Sequence, residues 1–170
     1  MHRILLLLSV ALLALVACDQ APASAPDETE PETLATVETR ADRGETPLVV
    51  FKRGGDEPGD VLEWRIYASG RGAAITGPDA GNAQLTEVDV DQAAITQLLD
   101  DLQTAGFFEI ASAGEEECCN QNSYVLTVQQ DGEVSAMALE AVTPQTSRQR
   151  LQSLTHIEKF IFDEITSAAQ

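Results

Sequence analysis

Cys118 and Cys119 stand side by side behind three carboxylates, in Glu115-Glu116-Glu117-Cys118-Cys119-Asn120, and no other stretch concentrates as much chemistry. Three fates are open to such a pair. A bond between the neighbouring sulfurs closes a small, strained ring and stiffens the loop. Two thiolates flanked by carboxylates take a soft or borderline metal. Two plain thiols can also simply persist. Adjacent cysteines suit one tetrahedral zinc poorly, because that ion takes ligands at spacings such as Cys-x-x-Cys, and no second ligand pair occurs in the chain. In an oxidising compartment the Cys118–Cys119 disulfide is the favoured outcome, and no metal site is expected. A second candidate is Arg53-Gly54-Gly55, whose glycines let a backbone approach a partner closely or merely make a turn. Catalysis finds less support. His156 falls off the apolar stripe of a helix, where a solvated role is expected. The chain has no His-Glu-x-x-His, Gly-x-Ser-x-Gly, Walker loop or Gly-x-Gly-x-x-Gly. Acid pairs such as Asp100-Asp101 and Asp163-Glu164 sit on helix flanks and solvate the surface. No catalytic residue, no cofactor and no enzymatic activity are expected.

The third cysteine has a different setting. Met1-His2-Arg3 is a positive start, Ile4 to Leu15 is almost wholly apolar, and Leu15-Val16-Ala17-Cys18 closes the run with a small residue before the thiol. This arrangement resembles the lipobox of bacterial lipoproteins, which implies cleavage after residue 17 and diacylation of Cys18. The apolar run is shorter than the ~20 residues that span a bilayer. The expected location is the bacterial cell membrane, anchored by lipid and facing away from the cytoplasm, with the leaflet open.

Composition agrees. Ten Lys and Arg stand against 28 Asp and Glu, a formal net charge of −18, and removal of 1–17 takes away only Arg3 among these. Such a chain is repelled by nucleic acid and by anionic lipid, so no nucleic-acid partner is expected and membrane contact falls to the acyl chains. Once Cys18 is acylated, only the neighbouring pair remains, so a hydrophobic core and not a disulfide framework must hold the fold.

Residues 18–47 read as the lipidated cysteine and a disordered acidic, Pro-rich tether. The 29 residues after Cys18 would cover roughly 30 Å as a coil and about 95 Å fully stretched. From Leu48 the composition changes and a single small domain, 48–170, is expected. Leu48-Val49-Val50-Phe51 is a strand candidate. Leu62-Glu63-Trp64-Arg65-Ile66-Tyr67 alternates, with Leu62, Trp64 and Ile66 inward, and turns through 69–72 into Ala73-Ala74-Ile75-Thr76. Ile95, Leu98, Leu99 and Leu102 share one helical face, capped by Asp91 and stopped by Gly106. Phe107 and Phe108 then enter the core. Tyr124–Gln129 and Val134–Val142 flank Asp131-Gly132, a strong hairpin signal. After Pro144 a closing helix from about Ser147 carries Leu151, Leu154, Ile157, Ile161 and Ile165. The order strands-helix-strands-helix predicts an α+β fold: an antiparallel sheet of about five strands with two helices packed on one face.

Leu48-Val49-Val50-Phe51-Lys52-Arg53-Gly54-Gly55 is similar to the opening of emfourins, small bacterial inhibitors of thermolysin-type metalloproteases, and of related lipoprotein domains. Ile66-Tyr67-Ala68-Ser69-Gly70-Arg71, the Leu98–Leu102 helix leading into Ala105-Gly106-Phe107-Phe108, and Tyr124-Val125-Leu126-Thr127-Val128 extend the resemblance over most of 48–165. It implies a binding role against a secreted or envelope protease, with Arg53, Gly54 and Gly55 as partner-binding residues in a monomer. Emfourins follow the Gly-Gly pair with a small apolar stretch, whereas this chain has Asp56-Glu57-Pro58-Gly59-Asp60. The alternative is a structural envelope lipoprotein with no enzyme target.

Overall fold

Turns and caps set the ends of most elements in the computed structural model, which describes residues 32–54, 60–113, 123–140 and 142–167. The strands are β1 (Val49–Gly54), β2 (Val61–Ile66), β3 (Arg71–Gly77), β4 (Gln84–Asp89), β5 (Ser112–Ala113), β6 (Tyr124–Gln130) and β7 (Glu133–Leu139). They form one antiparallel sheet in the order β4-β3-β2-β1-β6-β7-β5. The helices are α1 (Leu34–Asp42), α2 (Gln92–Ala105), α3 (Phe107–Ile110) and α4 (Arg148–Phe160), the last continuing as a π-helical turn over Ile161–Thr166. The fold is α+β, as the order of sequence signals predicts.

Local chemistry explains the ends. Asp131 and Gly132, at φ 53° and 81°, make the two-residue turn whose twist matches the flanking strands β6 and β7. The Asp91 side chain accepts from Ala93 N–H at 2.8 Å, capping α2, with Val90 and Ile95 buried beside it. Gly106, at φ 80°, ends α2 by donating back to the carbonyls of Leu102 and Gln103. Ser147 caps α4 by accepting from Arg150 N–H. Phe107 is fully buried but begins the single-turn helix α3, where the sequence suggested a direct plunge into the core.

α2 and α4 lie against one face of the sheet. Ile95, Leu98 and Leu102 of α2 and Leu154 and Ile157 of α4 share a core with Val49, Phe51, Ile66, Leu126 and Val128. Phe51 stacks between Trp64 and Tyr124 on the adjoining strands, with ring centroids 5.7 and 6.2 Å away.

The opposite face corrects the expected boundary at Leu48. Composition assigns 32–47 to the tether, but the compact unit begins at Pro31 and α1 packs on the sheet. Val37 and Ala41 are completely buried against Tyr67, Ala73, Ile75 and Ala83. The apolar stripe of α1 is only Leu34, Val37 and Ala41, too thin to stand out among acidic and threonine residues. β4 and the two-residue β5 also exceed the expected strand count. The expected leader, Cys18, the expected tether as far as residue 31, Gly55 and the Cys118–Cys119 pair lie outside the described residues. Among those described, no helix is long and apolar enough to cross a membrane.

Candidate functional site

Arg53 and Gly54 close the central strand β1, which lies between β2 and β6. Arg53 is exposed, opposite Leu62 on one side and Tyr124 on the other. Its guanidinium reaches Glu158 of α4 electrostatically; burial raises the Glu158 pKa and Arg53 opposes that rise. Gly54 is buried, and its N–H donates to the Ser123 carbonyl at 2.8 Å. That bond has a topological consequence. The connection after Gly54 and the one before Ser123 therefore attach to the sheet at neighbouring strand ends. The Trp64–Phe51–Tyr124 ladder stacks across β2, β1 and β6.

A second cluster lies on the α1 face, and residue-by-residue reading missed it. Glu63 and Arg65 alternate with Leu62, Trp64 and Ile66, which places them on the side normally given to solvent. Here α1 covers them. Arg65 donates from Nε to Glu63, from Nη1 to Asp42 at 2.7 Å and from Nη2 to Glu38 at 2.7 Å. Burial disfavours its charge, but Glu63 and Asp42 outweigh that and hold its pKa above the ordinary value. The Tyr67 hydroxyl donates to Asp42 at 2.8 Å; burial and that bond push its pKa upward. Lys52 Nζ lies 3.1 Å from Glu63 and 3.9 Å from Glu38. Arg71 donates to the carbonyls of Ala41 and Asp42, closing the C-terminus of α1, and its guanidinium sits 3.9 Å from the Tyr67 ring centroid. The cluster acts as a clasp that fixes α1 in register. A hollow of ≈330 Å³ opens beside it, floored by Val50, Val125 and Val134 and walled by Glu38, Asp42 and Lys52. The signal that could have revealed the clasp was the Glu63/Arg65/Tyr67 alternation combined with Thr33 as a helix cap before Leu34, Val37 and Ala41.

His156 bridges the two helices of the other face, with Nδ1 3.5 Å from Asp101 of α2 and both side chains partly exposed. Among the described residues no three His, Cys, Asp or Glu side chains converge as a metal would require. No family model matches the chain, and no curated protein matches it.

Proposed function

We propose that this chain is a bacterial lipid-anchored binding protein that works outside the cytoplasm, held to the membrane through Cys18. We further propose that it inhibits a thermolysin-type metalloprotease through the end of the sheet where Arg53 and Gly54 lie. One observation supports the reading from the fold: the Gly54–Ser123 hydrogen bond ties the end of β1, where Arg53 is exposed, to the residue before β6. Binding loops are commonly presented in this way, on a scaffold that does not itself move. An inhibitory loop must enter a cleft without being cut, and Pro58 between glycines restricts the backbone while allowing close approach. The acidic 56–60 stretch then favours a basic cleft and faster association at low salt.

The test titrates thermolysin-type proteases from the source bacterium with the full chain. Slowing of one of them, strongly weakened by Gly55→Trp at an unchanged melting midpoint, supports the proposal. No slowing at high micromolar concentration overturns inhibition and leaves the envelope lipoprotein without an enzyme target.

A further inference from the structure

The two faces of the sheet are covered by different means. On one, α2 and α4 share a large apolar core with β1, β2 and β6. On the other, α1 contributes only Val37 and Ala41 as buried side chains, with Leu34 at the margin. They meet Tyr67, Ala73, Ile75 and Ala83, in a cluster that shares no residue with the first. A nine-residue helix is marginal alone in water, so the rest of its hold comes from polar contacts across the seam. Glu38 and Asp42 accept from Arg65, Asp42 also accepts from the Tyr67 hydroxyl, and the Ala41 and Asp42 carbonyls accept from Arg71. At the start of the helix, Leu34 N–H donates to Ala80 O at 2.6 Å and Ala83 N–H to Glu32 O at 3.0 Å.

This seam divides without stranding a charge. When α1 lifts away, Glu63 keeps both of its cations, Arg65 through Nε and Lys52 through Nζ at 3.1 Å, because all three stand on β1 and β2. Glu38 and Asp42 leave with the helix and regain water. No buried ion loses its last partner, which is the loss that makes a broken buried pair costly. A hinge lies where the helix meets the sheet. Arg43 and Gly44 both adopt left-handed φ, at 50° and 80°, and a side chain at Gly44 would meet no atom within 4 Å among the described residues. Directly after it the chain is pinned. The Glu45 carboxylate accepts from Ser69 N–H at 3.1 Å and Ser69 Oγ at 2.9 Å, and Leu48 N–H donates to Ile66 O at 2.8 Å. Backbone rotation at two residues therefore frees α1 while β1 stays in place.

We infer that α1 is a strap, which opens as a unit about the Arg43–Gly44 hinge while the sheet, α2 and α4 stay folded. Closed, it covers Tyr67, Ala73 and Ile75. Open, it uncovers this apolar strip and releases Nη1 and Nη2 of Arg65, so the two states present different surfaces to solvent. Folds open first through their least stable cooperative units. With two buried side chains against the four of α2, α1 is the weaker unit. The strap does not depend on the protease reading, which concerns the Arg53 end of the sheet.

Native-state hydrogen exchange of the ¹⁵N-labelled full chain, followed at several urea concentrations below the unfolding transition, tests the strap. The amides of Glu38 to Asp42 should be protected, but about a hundredfold less than those of β1 and α2. Their exchange should also depend less on urea, because opening α1 exposes less surface than unfolding the domain. Val37→Ala keeps a helix former in place and removes half of the buried apolar pair. It should lower protection in α1 about tenfold and leave β1 and α2 unchanged relative to each other and to global stability. Equal protection and equal urea dependence in α1, β1 and α2 overturn the proposal. So does a Val37→Ala variant in which all three fall together, or an α1 with no protection at all, since a helix that is never fastened is not a strap.

Discussion

Ser153 sits in α4 with no exposed surface, and its hydroxyl has no hydrogen-bond partner among the described residues. A buried, unsatisfied hydroxyl costs roughly 1–3 kcal/mol, so Ser153→Ala is expected to raise the melting midpoint, which calorimetry would detect. A lowered midpoint would mean that the hydroxyl is satisfied in solution. Glu38 makes the pH prediction. Burial is the largest influence on it and raises its pKa above the ordinary 4.5, with Glu63 and Asp42 adding to the rise and Arg65 and Lys52 opposing it. The native state therefore binds more protons than the unfolded chain over the interval just above 4.5. Stability attributable to this group falls as pH rises through that interval and returns on acidification. Glu38→Gln, which keeps an acceptor for Arg65, should flatten the stability–pH curve there and leave stability at neutral pH equal or higher. Thermal melts across that range check this; an unchanged slope would refute it.

At the scale of elements, α1 is the addition that changes how the chain is divided. A nine-residue helix is marginal alone in water, and its propensity does not explain its presence. Two completely buried side chains and the ring of ion pairs around Arg65 hold it. A chain beginning at Leu48 discards both. Burial of Val37 alone contributes about 1.5–3 kcal/mol, so that truncation should melt well below a chain beginning at Pro31. Equal midpoints would show that α1 contributes nothing to the stability of the sheet. The clasp also limits substitution. Arg65→Ala leaves Glu63, itself almost fully buried, with only Lys52 Nζ at 3.1 Å as a cation; breaking a buried pair costs about 3–5 kcal/mol, less what Lys52 retains. Urea unfolding would measure the loss, and a cost under ~1 kcal/mol would contradict the burial.

At the scale of the whole molecule, the acidic composition and the proposed anchor act together. A chain carrying −18 stays clear of anionic headgroups, so attachment through Cys18 is the contact with the membrane that the proposal requires. Cys18→Ser should abolish lipid labelling and leave a misprocessed precursor. A variant that still runs as the mature lipoprotein by mass spectrometry would remove Cys18 as the anchor. In an exported chain the Cys118–Cys119 pair should be joined, and peptide mapping without reductant should find it about two mass units below the dithiol. Alkylatable thiols in protein taken directly from the envelope would exclude the disulfide.

What the sequence determined by itself was local. Asp91, Gly106, Asp131-Gly132 and Ser147 delimit elements through contacts within a few residues of themselves. Ile95, Leu98 and Leu102 declare a buried face through spacing alone. Such signals survive without knowledge of the partner element, and they were sufficient for an α+β fold with its helices against an antiparallel sheet. Tertiary structure decided what depends on distant pairing. Glu63 and Arg65 read as solvent-facing until α1, some twenty residues earlier, covers them. Gly54 meets Ser123 only because β6 inserts beside β1, ahead of β7 in the sheet order. Periodicity tells a side chain which way to point, but the element it meets there is settled by the order in which the sheet assembles.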